Sequence, residues 1–473
     1  MNEGLTVINS QATSSVSVTV NGKRVTIESP PLETTLLDLL RDQGLTGAKE
    51  GCAEGECGAC MVAMVAANRG TSVYRPVNSC LVLLAQVDGQ ELLTVEGLRE
   101  NGDLSDAQKK LAEAGGSQCG YCTPGFAVSL FTEQYRKGRT GPCDPHSMVG
   151  NLCRCTGYRP IRDAALAVGP APDGPHLRRL AQPAPELLPL ELDLQGQRFY
   201  RPASLAACLE IASRNPDAQW IAGGTDLVVE SNLKFKRWPC LISLEAVPEL
   251  LEVSETTERV RIGAALPLAE IAAKWPDAPA AFAEWSWLFA SPSIRNRATL
   301  GGSLCTASPI GDSAPLLMAL DASIEIAGPA GHRRMPLPSF FPAYRQTALA
   351  KGELVVAIEI PKRLPEFVRF YKVSKRRLDD ISTIAAGFSL DFDSLGRVQS
   401  AVLAFGGVAA TPVRAFEAER AITGEPWRET TVEKAVRVLD ATLTPRSDHR
   451  GSAEYRAEVA KSLLRKFWGE AWA

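Results

Sequence analysis

The chain has 473 residues, enough for about three domains of ordinary size. Hydrophobic residues make up 45% and charged residues 22%, which supplies several cores and excludes disorder as the default. A net charge of −3 gives no electrostatic ground for nucleic acid or a membrane surface as partner. No apolar run approaches the length of about 18 residues that a spanning helix needs. The opening MNEGLTVINSQATSS has neither the basic patch nor the apolar centre of a secretory leader, so the expected location is the cytoplasm. There, 12 cysteines are not expected to form a disulfide framework, because thiols are kept reduced. Eight of the 12 fall in two groups within residues 52–155, and the physical reading is metal.

Taken in order, Ser15–Val20 alternates, Asn21-Gly22 follows, and Lys23–Glu28 resumes: a hairpin signature. Residues 34–41 read as a short amphipathic helix with Gly44 as its C-cap. Next come Cys52, Cys57 and Cys60, spaced C-x4-C-x2-C, with Cys80 as a distant fourth on the apolar segment 77–84. This is the plant-type ferredoxin spacing for a [2Fe–2S] cluster. Gly51, Gly55 and Gly58 let the loop wrap closely and aim N–H groups at sulfur, and Lys49 adds positive charge. A zinc site with four cysteines is the alternative, though zinc usually takes paired C-x2-C units.

Three helical patterns follow: Leu104–Ala114, a second beginning at Thr123-Pro124 and running to Lys137 with Gly138 as stop, and a third from Asp144-Pro145. A fourth opens after Arg159-Pro160. At the helix ends lie Cys119 and Cys122 (C-x2-C) and Cys153 and Cys155 (C-x-C). A helix N-terminus favours thiolates there. Taken alone, these four could bind zinc or a second iron–sulfur cluster. Cys143 reads as a plain thiol.

A ferredoxin loop followed by QCGYCTPG and NLCRCTGYRPI resembles the iron–sulfur half of the molybdenum hydroxylases, the xanthine dehydrogenase and aldehyde oxidase group. The resemblance implies that Cys119, Cys122, Cys153 and Cys155 hold the cluster nearest the molybdenum cofactor, with Gln118 against its pterin. It implies that Cys52, Cys57, Cys60 and Cys80 hold the next relay, towards flavin.

Residues 169–195, rich in Pro, Gly and Ala, read as a linker, with globular sequence resuming near Phe199. Residues 220–229 read as an apolar strand interrupted by Gly223-Gly224, and 295–313 as a second glycine-rich loop; two such loops suggest a shared anionic ligand. No G-x-G-x-x-G follows a strand, so a Rossmann site is not supported. Both loops resemble the flavin domain of the same hydroxylases, which is similar to the vanillyl-alcohol oxidase fold. That implies Ile221, Ala222, Gly223, Gly224, Thr225, Asp226, Leu227 and Val228 along the FAD pyrophosphate. It also implies FAD contacts from Phe289, Thr299, Gly302, Ser303 (where many relatives carry Asn) and Asp312. Lys372 would lie beside the flavin, and 375–380 would line the approach to its ring; without the resemblance, 375–380 is a solvated charged turn. Residues 403–414 resemble the lobe that follows the flavin domain, and 455–472 look like a docking helix. Cys208, Cys240 and Cys305 lack ligand spacing and should pack as small apolar groups. His146, His176, His332 and His449 form no catalytic constellation, and no catalytic residue is assigned.

The expected fold is multidomain α+β. It comprises a β-grasp ferredoxin-like domain (1–97), a four-helix [2Fe–2S] domain (98–168), the linker (169–195), an α+β FAD-binding domain (196–365) and an α/β C-terminal lobe (366–473). The resemblance places this chain as the subunit that passes electrons from molybdenum on a separate large subunit through two [2Fe–2S] clusters and FAD to NAD+, in an α2β2 assembly that oxidises purine (hypoxanthine to xanthine to urate). The family's molybdenum-binding segment is not expected in this chain. Alternatives are the equivalent subunit of an aldehyde or N-heterocycle hydroxylase, and a non-enzymatic metal-binding scaffold.

Overall fold

The alternating SVSVTV run forms β1 (Ser15–Val20), with Val16, Val18 and Val20 inward, and it turns at Asn21-Gly22 into β2 (Lys23–Glu28). Both turn residues have positive φ, 52° and 77°, as a two-residue hairpin requires. The structure, a computed structural model, describes residues 13–100 and 102–471. It divides into two units, Met1–Val247 and Pro248–Ala473. Residues 1–12, in the stretch read as lacking the features of a secretory leader, and the last residue of the expected 455–472 helix lie outside the described residues. Among those described, no helix is long and apolar enough to cross a membrane.

In the first unit, α1 (Leu36–Asp42) starts on a Thr35/Asp38 capping box and buries four leucines. β3 (Met61–Asn68), β4 (Thr71–Asn78) and β5 (Glu91–Leu93) complete a mixed sheet of order β2-β1-β5-β3-β4, with β1 and β5 parallel. Three helices follow, α2 (Asp106–Glu113), α3 (Thr123–Gln134) and α4 (Tyr158–Ala167). The helix expected from Asp144-Pro145 is one 3-10 turn, Pro145–Met148, capped by Asp144. α3 is buried on every side from Gly125 to Gln134, against the sheet and the other helices. Gly138, φ 76°, lies beyond its end, so the helix stops three residues short of Lys137.

The expected linker is partly structured, carrying α5 (Pro175–Leu180) and β6 (Leu190–Leu194). β7 (Gln197–Arg201), α6 (Leu205–Arg214), β8 (Gln219–Ile221), α7 (Leu227–Lys234) and β9 (Cys240–Ser243) follow, and the sheet runs β6-β7-β9-β8. The expected strand over 220–229 therefore ends at Ile221, and its second half is the start of α7.

The second unit opens with β10 (Val253–Glu255), β11 (Arg259–Gly263), α8 (Leu268–Lys274) and α9 (Ala280–Leu288). α10 (Pro292–Arg295), α11 (Leu300–Cys305) and α12 (Ser313–Ala319) follow, so the expected glycine-rich loop over 295–313 is largely helical. β12 (Ser323–Gly328), β13 (Gly331–Pro336) and β14 (Leu354–Pro361) complete an antiparallel sheet of order β10-β11-β14-β12-β13 over one large core. The final lobe has an antiparallel sheet β15 (Phe367–Val373), β16 (Ile384–Phe392), β17 (Val398–Gly406), β18 (Val413–Arg414). Helices α13 (Phe416–Ile422), α14 (Glu429–Thr442) and α15 (Ala453–Glu470) share its core. The last of these, which falls in the stretch read as a docking helix, buries Ala460, Leu464 and Phe467 in its own lobe.

Candidate functional site

Eight thiols of the first unit come together as four pairs. Cys60 and Cys80 lie 3.3 Å apart, sulfur to sulfur, both buried. Thiol hydrogen bonds likewise pair Cys52 with Cys57, Cys119 with Cys155, and Cys122 with Cys153, all of them free cysteines. In the first group, one thiol of each pair is held low by its partner. The Cys57 thiol brings Cys52 down to about 5, and the same bond pushes Cys57 up. Cys80 lowers Cys60 and is itself raised well above the usual thiol range. In the second group the Tyr121 backbone N–H, then the Cys155 thiol, lower Cys119, while Cys119 raises Cys155. Burial pushes Cys122 up to about 12, with the Cys153 thiol adding to it.

Two thiolates per iron is the coordination of a [2Fe–2S] cage, and paired cysteines fit it. Among the described residues no three His, Cys, Asp or Glu side chains gather closely around one point, and the thiols meet in twos. The surrounding backbone leaves little room. A β-carbon at Gly51 would lie 2.8 Å from the Cys57 sulfur. Cys80 is fixed by its neighbours: Asn78 Nδ2 donates to Gly55 O (3.0 Å) and Ser79 Oγ to Cys60 O (2.6 Å).

The two groups adjoin. Leu152 N–H donates to Cys57 O at 3.0 Å, so the residue before Cys153 bonds a member of the other group. Cys122 is the N-cap of α3, one residue earlier than the expected Thr123, which places the positive end of the helix at that thiol. Beside it, a β-carbon at Gly125 would lie 2.2 Å from Gly58 O. Asn151 closes this junction, donating to Ser129 Oγ (2.8 Å) and Met148 O (3.1 Å). Tyr121 reaches from the second group to donate to Glu50 O, and Lys49 lies 5.8 Å from the centre of its ring. Gln118 and Cys119 are exposed, on the open side of the second group.

Gly58 allows a direct prediction. It has φ 65°, and a β-carbon there would lie 2.4 Å from Gly150 O. Gly58→Ala should lose about 1–2 kcal/mol from the left-handed backbone alone, and the clash adds to this. Thermal unfolding is expected to show a clear fall in Tm; an unchanged Tm would mean the two loops are not in contact.

The Gly223-Gly224 turn lies against the Cys80 segment. Gln86 Nε2 donates to Ala222 O (2.8 Å) and to Glu245 (2.7 Å), and a β-carbon at Gly224 would lie 3.2 Å from Leu81 O. Ile221, Gly223, Gly224 and Val228 are buried, Ala222, Thr225 and Leu227 half-buried, and Asp226 exposed. Sequence reasoning missed two further residues here. Arg201, fully buried, donates to the carbonyls of Gln86, Asp88 and Leu188. Asn232 of α7 donates to Ala53 O and Cys80 O. A buried arginine after FY was the one available clue; Asn232 left none.

In the second unit, Thr299 caps α11 by accepting from Gly302 N (3.0 Å), and Ser303 Oγ bonds Ser313 Oγ (2.8 Å). Asp312, the N-cap of α12, pairs with Lys372 at 2.7 Å, with side chains only 7% and 3% exposed, and Ser382 donates to its other oxygen. Lys372 also donates to Leu288 O (3.2 Å), next to half-buried Phe289. The 375–380 segment is a turn with Lys375, Arg376 and Arg377 exposed and Asp379 buried.

Of the remaining cysteines, Cys143, Cys208 and Cys240 are buried. Cys305, expected to pack as a small apolar group, is the last residue of the short helix α11 and is exposed. The histidines are scattered: His146 bonds Asp144, His332 bonds Glu325, and His176 is buried among Tyr74, Phe131 and Tyr135.

Four stretches match known domains in chain order. Residues 18–85 match the 2Fe-2S iron-sulfur cluster binding domain and 94–166 the [2Fe-2S] binding domain. Residues 193–363 match the FAD binding domain in molybdopterin dehydrogenase, and 369–471 the CO dehydrogenase flavoprotein C-terminal domain. Among solved structures, reconstituted CO dehydrogenase from Oligotropha carboxidovorans is 30% identical, with a TM-score of 0.53, over 57% of this chain and 94% of that one. The chain belongs to the molybdenum hydroxylase family. It carries the family's two [2Fe–2S] domains and FAD-binding domain, and is the iron–sulfur and flavin electron-transfer part of such an enzyme. Quinoline 2-oxidoreductase from Pseudomonas putida 86 is 29% identical, with a TM-score of 0.52, over 57% of this chain and 95% of that one. Xanthine dehydrogenase 1 of Arabidopsis thaliana is 33% identical over 95% of this chain, and xanthine dehydrogenase/oxidase of Mus musculus 31% over 95%. This member of the family spans 39% and 38% of the length of those two relatives.

Proposed function

We propose that this chain is the iron–sulfur/FAD subunit of a cytoplasmic xanthine dehydrogenase that works with a molybdenum-binding large subunit in an α2β2 assembly. Cys52, Cys57, Cys60 and Cys80 hold one cluster, and Cys119, Cys122, Cys153 and Cys155 hold the other. Residues 221–228, Phe289, Thr299, Gly302, Ser303, Asp312 and Lys372 serve FAD. When bound, these groups supply a one-electron relay from the oxidised purine to a flavin that returns a hydride to NAD+. The chain's own residues place and insulate them. Buried Cys60 and Cys80 exclude water from one side of the first group. Exposed Gln118 and Cys119 leave the second group open towards a partner. The Leu152–Cys57 bond holds the two groups in register.

One observation carries the relay: two quartets of paired thiols adjoining each other through the Leu152–Cys57 backbone hydrogen bond. The purine reading is supported by relatives named xanthine dehydrogenase that align over 95% of the chain at 33% identity. The quinoline neighbour keeps an N-heterocycle hydroxylase as the second reading.

The test is to purify the chain with its native partner, assay metal and flavin, and follow NADH formation. Expected are about four irons and one FAD per chain and xanthine-dependent reduction of NAD+. Turnover of quinoline or an aldehyde but not xanthine would favour the second reading. A colourless protein containing zinc would end both.

A further inference from the structure

Asn232 lies in the second turn of α7, the helix that follows Gly223-Gly224. Its amide nitrogen donates to Ala53 O and to Cys80 O, each at 2.9 Å. A carboxamide nitrogen has two hydrogens, and both are used. Ala53 directly follows Cys52, and Cys80 is the remote fourth thiol of the same group. One side chain from outside the cysteine loop therefore holds both the beginning of the loop and its distant closing member. The restraint falls where the backbone needs it. Ala53 has φ 57°, a left-handed conformation that costs a non-glycine residue about 1–2 kcal/mol.

The contact also has a direction. α7 begins at Leu227, three residues after the buried glycine pair. Gln86 holds Ala222 O at the other end of that turn. The turn is thus pinned to the Cys80 segment on one side by Gln86 and on the other by Asn232. The positive amide hydrogens lie on carbonyls adjoining Cys52 and Cys80. A hydrogen-bond dipole so placed favours the more electron-rich state of whatever the thiolates hold.

We infer that Asn232 is a positioning residue for electron exchange between the first cysteine group and the flavin: it sets the register of α7 against Cys80 and raises the potential of the centre held there. This rests on the proposed function, in which that group holds a [2Fe–2S] cluster and the glycine turn serves FAD.

The test uses the full chain loaded with iron and flavin, as Asn232→Ala, which removes both donors, and Asn232→Gln, which keeps them on a longer stem. Potentials of the two centres are read by low-temperature EPR during redox titration. Electron equilibration between flavin and the first centre is read in the visible after pulsed photoreduction. In Asn232→Ala, iron and flavin contents should match the wild type. The first centre should become harder to reduce while the second keeps its potential. Equilibration should slow by about tenfold or more, the scale at which loss of an outer partner is felt at a metal site. Asn232→Gln should recover most of the rate. Wild-type rate and potential in Asn232→Ala would overturn the inference, as would loss of first-site iron from both variants, which would make Asn232 a clamp on the loop only. Wild-type protein without iron or flavin would sink the underlying reading together with the inference.

Discussion

Cys80→Ser should remove one of the two iron centres and leave the other. Cys80 is 3% exposed and its sulfur lies 3.3 Å from Cys60, so a serine there offers a shorter, harder oxygen donor in a pocket built for sulfur. The surrounding bonds allow little adjustment, since Asn78, Ser79 and Asn232 all fix the backbone at this point. Iron per chain should fall by about half, and one of two EPR signals should vanish. Because binding of metal at such sites is folding free energy, the first unit should also unfold at lower temperature. Cys122→Ser should produce the complementary loss, sparing the signal that Cys80→Ser removes. Full iron retention in Cys80→Ser would contradict the ligand assignment.

Lys372→Met should be the most destabilising single change in the second unit that leaves side-chain volume nearly intact. It strands Asp312 in a site where its carboxylate is 7% exposed, with Ser382 as the remaining side-chain donor. Removing one partner of a buried pair costs about 3–5 kcal/mol, mostly because the other charge is left uncompensated. Replacing both partners is expected to recover much of that loss, so Lys372→Met with Asp312→Asn should be more stable than Lys372→Met alone. Denaturant unfolding monitored on the second unit's tryptophans checks both. Under the proposed function, flavin content should fall in the single variant as well. Equal stability of Lys372→Met and wild type would mean the pair is open to water.

The residues that were legible in the sequence are those whose chemistry dictates residue type at short spacing. C-x4-C-x2-C, C-x2-C and C-x-C can be read because thiolates gathered at short spacing are a distinctive residue pattern, and Asn-Gly because few other pairs take the left-handed turn it needs. Reading failed where apolar composition is shared by different elements. Residues 220–229 hold a three-residue strand and the start of a helix, and a short apolar run has no period to tell them apart. Asp144-Pro145 has the grammar of a helix start, but Gly150, with φ 98°, follows one turn later and the segment stays a 3-10 turn. Thr299 and Asp312 carry the expected hydroxyl and carboxylate, yet within the chain Thr299 caps α11 and the Asp312 carboxylate is taken by Lys372 and Ser382, roles that only their neighbours reveal.

By itself, the sequence determined the close spacing of the eight cysteines in two groups, the hairpin that opens the first sheet, and the order of domains along the chain. The tertiary structure decided which thiols pair, that Lys372 and Asp312 neutralise each other, and that Asn232 grips Ala53 and Cys80 from 179 and 152 residues away. The reason is physical: a metal ligand is named by its atom, whereas a hydrogen bond to a backbone carbonyl can be accepted from any residue. Which side chain supplies it depends on the path of the whole chain.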